Sequence, residues 1–372
     1  MRSQAKAASR PFGGLLLAAC LTLAITACGS SSSGSGSSTS SSGSGSSAST
    51  SAAKAAAADA SEVTAEKVKG KKKVFLVTCE PNVFCHAYNV NLTKNLKAAG
   101  VSVTQLSDNF DPALQNQHMN QAIAQKPDAI VVFASNADAI VPGLRRARAA
   151  GIPTVNVDAR LKPAGEKYVT FEVVADNHAL GASAAQNLVE GMQKAGYQKG
   201  KVILITGTSG TLIVQDRLDA FNAYMKKFPQ YQVVATQDGN WDQVKSSQIA
   251  SQLLTKYRSQ GGIQGAYGMA DYQAAGIIQA ADQLSINTRV GQPQATVVTG
   301  SNCTPGGYAL MAPGKLWGNA TQSPIHESTT ASNAIIAFLN GKKQPHTITD
   351  KEQRFTQGNF QSFKDLCSNW PS

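Results

Sequence analysis

The sequence predicts two doubly wound α/β lobes, each built on a parallel sheet, joined by a chain that crosses between them more than once. Three observations predict this. From Val74 onward, short apolar runs rich in Val and Ile alternate with amphipathic stretches of helical length. The alternation occurs in two successive series, one to about Asn177 and one from His178 to Gln322. A helix-like segment, Ile325–Leu339, then follows after the second series is complete. Strands that are apolar throughout and separated by helices belong to parallel sheets covered on both faces.

The elements follow in order from the N-terminus. Arg2, Lys6 and Arg10 precede the apolar stretch Leu15–Ile25, whose eleven residues are too few to span a bilayer as a helix. This is the pattern of an export signal, assigned to residues 1–27. Ile25-Thr26-Ala27-Cys28 also resembles the bacterial lipobox, which implies that Cys28 becomes a diacylated N-terminus. Ser30–Ser51 is nearly all Ser and Gly and cannot bury apolar surface. Such a tether reaches roughly 25 Å. Lys67, Lys69, Lys71, Lys72 and Lys73 then form a basic collar, for which a solvated linker end is the preferred reading and contact with anionic lipid headgroups the alternative.

Nine strand-like runs follow: Val74–Thr78, Val101–Leu106, Ala129–Phe133, Thr154–Val157 and Tyr168–Val174 in the first series, then Val202–Thr206, Tyr231–Thr236, Gly265–Met269 and Ala295–Gly300. Helical patterns lie between them, several ended by Gly100, Gly196 or a Pro two residues on. Two such sheets side by side make a cleft at the carboxyl ends of their strands, where α/β folds bind ligands. The chain has 372 residues, 42% hydrophobic and 15% charged, with formal charge +11; loss of Arg2, Lys6 and Arg10 with the signal lowers this to +8. No arginine cluster interleaves with aromatics, so nucleic acid is not expected as a partner.

The loop after the first strand concentrates reactive side chains. Cys79, Glu80, Cys85 and His86 could form a metal, redox or catalytic site. The other histidines are scattered without ligand spacing, so no metal or other cofactor is expected. Gly207-Thr208-Ser209-Gly210-Thr211 lacks the final glycine of a hydrolase nucleophile turn and the Lys of a phosphate loop. Asp158 with Asp176 or Asp271 could converge as acid and base, but hydrogen bonding to a ligand is the preferred reading. With Cys20 and Cys28 set aside, Cys79, Cys85, Cys303 and Cys367 remain, an even number in an exported chain. Three pairings are open. The preferred one joins Cys79 to Cys85 and Cys303 to Cys367, worth about 2 and about 4 kcal/mol by loop entropy.

Read as an ordered set, several short motifs over Lys73–Gly358 resemble the type I periplasmic substrate-binding proteins of the ribose-binding branch. They are the Asn82-x-Phe84 loop, PDAIVV at Pro127–Val132, AAGIPTVNVD at Ala149–Asp158, Ala175-Asp176-Asn177 with Gly181, Asp216-Arg217 with Phe221, YGMADYQAAG at Tyr267–Gly276, and ATQSP at Ala320–Pro324. The resemblance implies a ligand held between the lobes by Asn82, Phe84, Asp158, Arg160, Arg217, Trp241, Asp271, Asn302 and Gln322. Three departures set this chain apart. Ala159 separates Asp158 from Arg160, Ala270 replaces an Asn, and Asn302 replaces an Asp.

The implied architecture has a first lobe over 71–177 plus 323–351 and a second over 178–322 plus 352–358. A tether at 28–70 precedes them and a tail at 359–372 follows. The implied function is non-enzymatic: a monomeric lipoprotein facing the periplasm or cell exterior. It would capture a sugar or polyol for the permease of an ATP-driven importer. The alternatives are a sensory module for a membrane receptor and a secreted hydrolase.

Overall fold

The computed structural model describes residues 63–80 and 82–370. The expected signal, Cys28 and the Ser/Gly tether lie outside the described residues. The first lobe opens with β1 (Lys72–Thr78), α1 (Val83–Ala98), β2 (Val101–Ser107), α2 (Pro112–Ala124), β3 (Ala129–Val132), α3 (Val141–Ala149), β4 (Thr154–Asp158), the short α4 (Pro163–Glu166) and β5 (Phe171–Ala175). The second continues with α5 (Asn177–Lys194), β6 (Gly200–Thr206), α6 (Leu212–Met225), β7 (Tyr231–Asp238), α7 (Gln243–Tyr257), β8 (Gly265–Gly268), α8 (Asp271–Gln283), β9 (Val297–Thr299), α9 (Pro305–Ala309) and β10 (Gly318–Ala320). The chain then re-enters the first lobe with α10 (Pro324–Leu339) and β11 (Thr347–Asp350), and crosses again to β12 (Arg354–Thr356) and α11 (Lys364–Ser368).

The two sheets have six strands each, ordered β11-β5-β4-β3-β1-β2 and β12-β10-β9-β8-β6-β7. All pairs are parallel except β10 with β12. The two sheets have the mixed βα architecture expected of two doubly wound lobes. Interior strands such as β3 (AIVV) and β5 (FEVVA) are buried at every position, because helices cover both faces. Edge strand β2 (VSVTQLS) is mostly solvated. Distinct apolar clusters occupy the two faces of each sheet, one around Leu76, Leu92 and Ile335 and another around Val77, Met119 and Leu144 in the first lobe. Clusters around Ile205, Ala274 and Phe355 and around Leu204, Phe221 and Trp317 do the same in the second.

Helix starts are written in the sequence. Asn82, Asp111, Asp176, Asp242 and Ser323 are N-caps whose side chains accept backbone N–H bonds. Gly181 permits the close approach of α5 and α6, since a Cβ there would lie 2.1 Å from the Arg217 carbonyl oxygen. The nine expected strands are present. β10, β11 and β12 were not anticipated, being three or four residues long and largely polar.

Candidate ligand-binding cavity

The carboxyl ends of both sheets face a shared cavity. From the first lobe it is lined by Asn82, Phe84, Cys85, Phe110, Phe133 and Asp158. From the second it is lined by Ile213, Arg217, Trp241, Tyr272 and Asn302, with Gln322 at the return crossing. An outer compartment continues past Phe110 and Trp241 toward Ser135, Asn136, Arg160 and Thr208.

The loop after β1 is shorter than the sequence suggests. α1 begins at Val83 and takes in Cys85 and His86, because Asn82 Oδ1 accepts the Cys85 N–H at 3.0 Å and nucleates the first turn. A Cys79–Cys85 disulfide ties this turn to the end of β1. Asn82, Phe84 and Cys85 therefore meet the cavity from a rigid helix N-terminus. Glu80 and His86 pair with each other at 2.7 Å.

The polar floor is a connected network centred on Arg217, which is 1% exposed. Its Nε donates to Asn177 Oδ1 at 2.8 Å, and its Nη1 to the Met269 carbonyl at 2.8 Å and Asn302 Oδ1 at 3.2 Å. Its Nη2 donates to Gln322 Oε1 at 2.6 Å. Gln322 Oε1 also accepts from Asn302 Nδ2 at 3.0 Å, while Gln322 Nε2 donates to Asp158 Oδ1 at 2.9 Å. One carboxylate oxygen of Asp158, one N–H on Asn302 and the Asn82 Nδ2 remain for a ligand, while Arg217 also interacts with Tyr267 and Gln322 with Glu327. Burial pushes the Asp158 carboxyl up to about 7 despite the opposing Arg217 charge and the Gln322 hydrogen bond. Behind it, burial and the nearby Asp158, Asp350 and Glu352 carboxylates push Glu327 well above the usual range. The walls are aromatic. The Arg217 guanidinium lies 5.6 Å from the centre of the Trp241 ring, and Trp241 sits on Gly207, where any Cβ would collide with the indole at 1.9 Å.

Seven of the nine residues expected at the site line this cavity. The other two lie elsewhere. Arg160 borders the outer compartment and spans the lobes to Asp216 on α6, with Nε and Nη2 donating at 2.7 and 2.6 Å. Asp271 is fully buried, accepting from Thr304 N and Oγ1 and from Asn319 Nδ2 at 2.6, 2.8 and 3.1 Å. Its side chain fills the space left by Gly300 and Gly307. Phe110, Phe133, Ile213 and Tyr272 escaped the sequence reading. Phe133 directly follows β3 and Tyr272 lies in the first turn of α8, just past the end of β8, positions that the carboxyl-end rule could have flagged. The loop conformation that turns Phe110 inward left no such signal.

A family model described as "Periplasmic binding protein domain" matches residues 73–343. The chain belongs to that family. This periplasmic binding protein is 27% identical over 258 residues to the D-allose-binding periplasmic protein of Escherichia coli (strain K12), covering 67% of this chain and 78% of that one. It is 25% identical to the ribose import binding protein of Bacillus subtilis (strain 168), covering 75% and 87%. Among solved structures it resembles the arabinose transporter binding component of Shewanella sp. ANA-3, with TM-score 0.71, 21% identity and 79% and 94% coverage. A solute binding protein from Mycobacterium smegmatis with bound glycerol gives TM-score 0.72, 21% identity and 82% and 100% coverage. Membership assigns a non-catalytic, exported solute receptor with the two-lobed type I architecture.

Proposed function

We propose that this periplasmic binding protein captures a small, neutral sugar or polyol between its lobes and hands it to the permease of an ATP-driven importer. The observation that carries this reading is the composition of the cavity. Aromatic faces from Phe84, Phe110, Phe133, Trp241 and Tyr272 surround a floor with a single carboxylate and several N–H donors. Sugar rings offer apolar C–H faces to aromatics and hydroxyls that donate and accept at once. The relatives that bind D-allose and ribose support the same class. The Arg217 charge is opposed by Asp158 within the same floor, and most of its N–H groups are already bonded to Asn177, Asn302, Gln322 and the Met269 carbonyl, so an anionic ligand gains little from it. Asn82, Phe84, Asp158, Arg217, Trp241, Asn302 and Gln322 are the proposed ligand contacts, with Arg160 bracing the closed lobes and Asp271 holding the loop that presents Asn302.

We further propose that Cys28 carries a lipid anchor, on the strength of the lipobox-like Ile25–Cys28 alone. The mass of the mature N-terminal peptide tests that point. The ligand reading is tested by thermal shift against D-allose, D-ribose, L-arabinose, xylitol, glycerol and myo-inositol. Saturation at about 100 times Kd should stabilise the chain by about 2.7 kcal/mol. No shift with any of the six would remove the sugar and polyol assignment.

A further inference from the structure

We infer that the base of the first lobe, the end opposite the cavity, is a contact surface for an anionic membrane. The first sheet is wholly parallel, so the starts of its six strands and the ends of its helices share one face. That face gathers cations from segments far apart in sequence. Lys69 and Lys71 precede β1, Lys97 ends α1, Lys126 follows α2, Arg148 ends α3, and Lys343 follows α10; all are exposed. Carboxylates are scarce there. Asp128 is paired with Lys72 at 3.2 Å and Glu66 with Lys342 at 2.8 Å. Among the described residues none of the six lies within ion-pairing distance of a carboxylate, although Lys69 is close enough to Glu66 to act on its charge.

A second observation names the occupant. The described chain begins at this same face. Thr64 N–H bonds Asn333 Oδ1, Val68 N–H bonds the Ala99 carbonyl and Lys69 N–H bonds Asn340 Oδ1, each at 2.9 Å. Residues 1–62, which carry the apolar Leu15–Ile25 and Cys28, therefore join the body here. A leader or lipid in the membrane holds this base within the tether's reach of the headgroups, roughly 25 Å, and its cations then draw it in. Among the described residues no helix is long and apolar enough to cross a membrane, so the contact is one of surface charge. Cations at helix C-termini complement the helix dipole in both lobes, and the base of the second lobe also carries exposed lysines, including Lys199 and Lys226. That base has no chain exit, which makes it an internal control. Because attraction to headgroups fades within about 8 Å at physiological salt, only the apposed face is affected.

The test uses the intact chain with vesicles of phosphatidylcholine containing about one third phosphatidylglycerol, against phosphatidylcholine alone. Lysine acetylation is read residue by residue by mass spectrometry. On anionic vesicles Lys69, Lys71, Lys97 and Lys343 should react several-fold more slowly, with relief at about 0.5 M salt, while Lys199 and Lys226 react as before. Comparing anionic with neutral vesicles separates the charge contact from any lipid on Cys28. No protection, equal protection of both bases, or the same protection on neutral vesicles overturns the inference. A triple variant, Lys69→Glu, Lys71→Glu and Lys343→Glu, should lose protection at Lys97 yet keep its thermal response to sugars. Retained protection in a variant that still melts cooperatively also overturns the inference. The cavity lies at the other end of the lobe, so failure here leaves the ligand reading standing.

Discussion

Four residues that line the cavity hold left-handed backbone although none is glycine: Phe110, Asp158, Trp241 and Asn302, with φ of 61°, 67°, 56° and 92°. Each costs about 1–3 kcal/mol unless its surroundings hold it. Here Asp158 and Asn302 are held by the Arg217 network, Trp241 by its packing on Gly207, and Phe110 by its N–H bond to Asp108 Oδ1 at 2.9 Å. Gly207→Ala should push the indole off its seat and lower ligand-dependent thermal shift while leaving the fold intact. An unchanged dose response in that variant would remove Trp241 from the site. Arg217 is a poorer probe: its removal strands Asn177, Asn302 and Gln322 and leaves Asp158 without its counter-charge. Arg217→Ala should cost about 3–5 kcal/mol in chemical denaturation. Asp158 gives a pH signature. Burial raises its pKa to about 7 in the closed, ligand-free chain, so closure without ligand is favoured where the carboxyl is protonated and loses that advantage as pH rises through about 7. A ligand hydroxyl donates to the carboxylate instead. Apparent affinity should therefore fall as pH drops below about 7, by up to about tenfold per unit, and Asp158→Asn should flatten that slope in titration calorimetry.

At the scale of elements, the C-terminal tail makes a connection that the resemblance did not include. The family match ends at residue 343. Beyond it, Phe360, Phe363 and Cys367 pack into the second lobe, and Cys367 is joined to Cys303, next to cavity-lining Asn302. Three residues later Trp370 packs edge-on against Phe84 of the first lobe, with ring centres 6.3 Å apart. An aromatic pair of this kind is worth about 0.5–1.5 kcal/mol. Trp370→Ala should therefore speed ligand release roughly two- to tenfold in stopped-flow fluorescence, with little change in melting temperature; an unaltered release rate would uncouple the tail from opening. Much of the architecture was legible because interior parallel strands such as β3 are apolar at every position. The short strands were not legible, since Gly318–Ala320 and Arg354–Thr356 gain strand character only from their neighbours. The same division holds at the cavity. Motif-borne Asp158, Arg217 and Gln322 could be read from the chain, whereas Phe110 and Ile213 reach the cavity only through tertiary placement.

The whole molecule is a pair of lobes held shut by few contacts. Arg160 and Asp216 form one clasp across the cavity mouth, with Asp216 nearly buried and Arg160 half exposed, and Trp370 on Phe84 forms another. The chain passes between lobes at 175–177, 321–323 and 351–353. The last two passages enclose α10 and β11, which complete the first lobe while both ends of the excursion belong to the second. The Cys303–Cys367 disulfide spans that excursion. The segment is thus a covalent noose, closed on one lobe and looped through the other. Trypsin cutting the exposed turn after Lys342 or Lys343 should leave one species on an unreduced gel and two after reduction. A nick at the outermost turn of the noose would then leave α10 and β11 seated, and a receptor attacked outside the cell would hold its shape after its backbone had been cut.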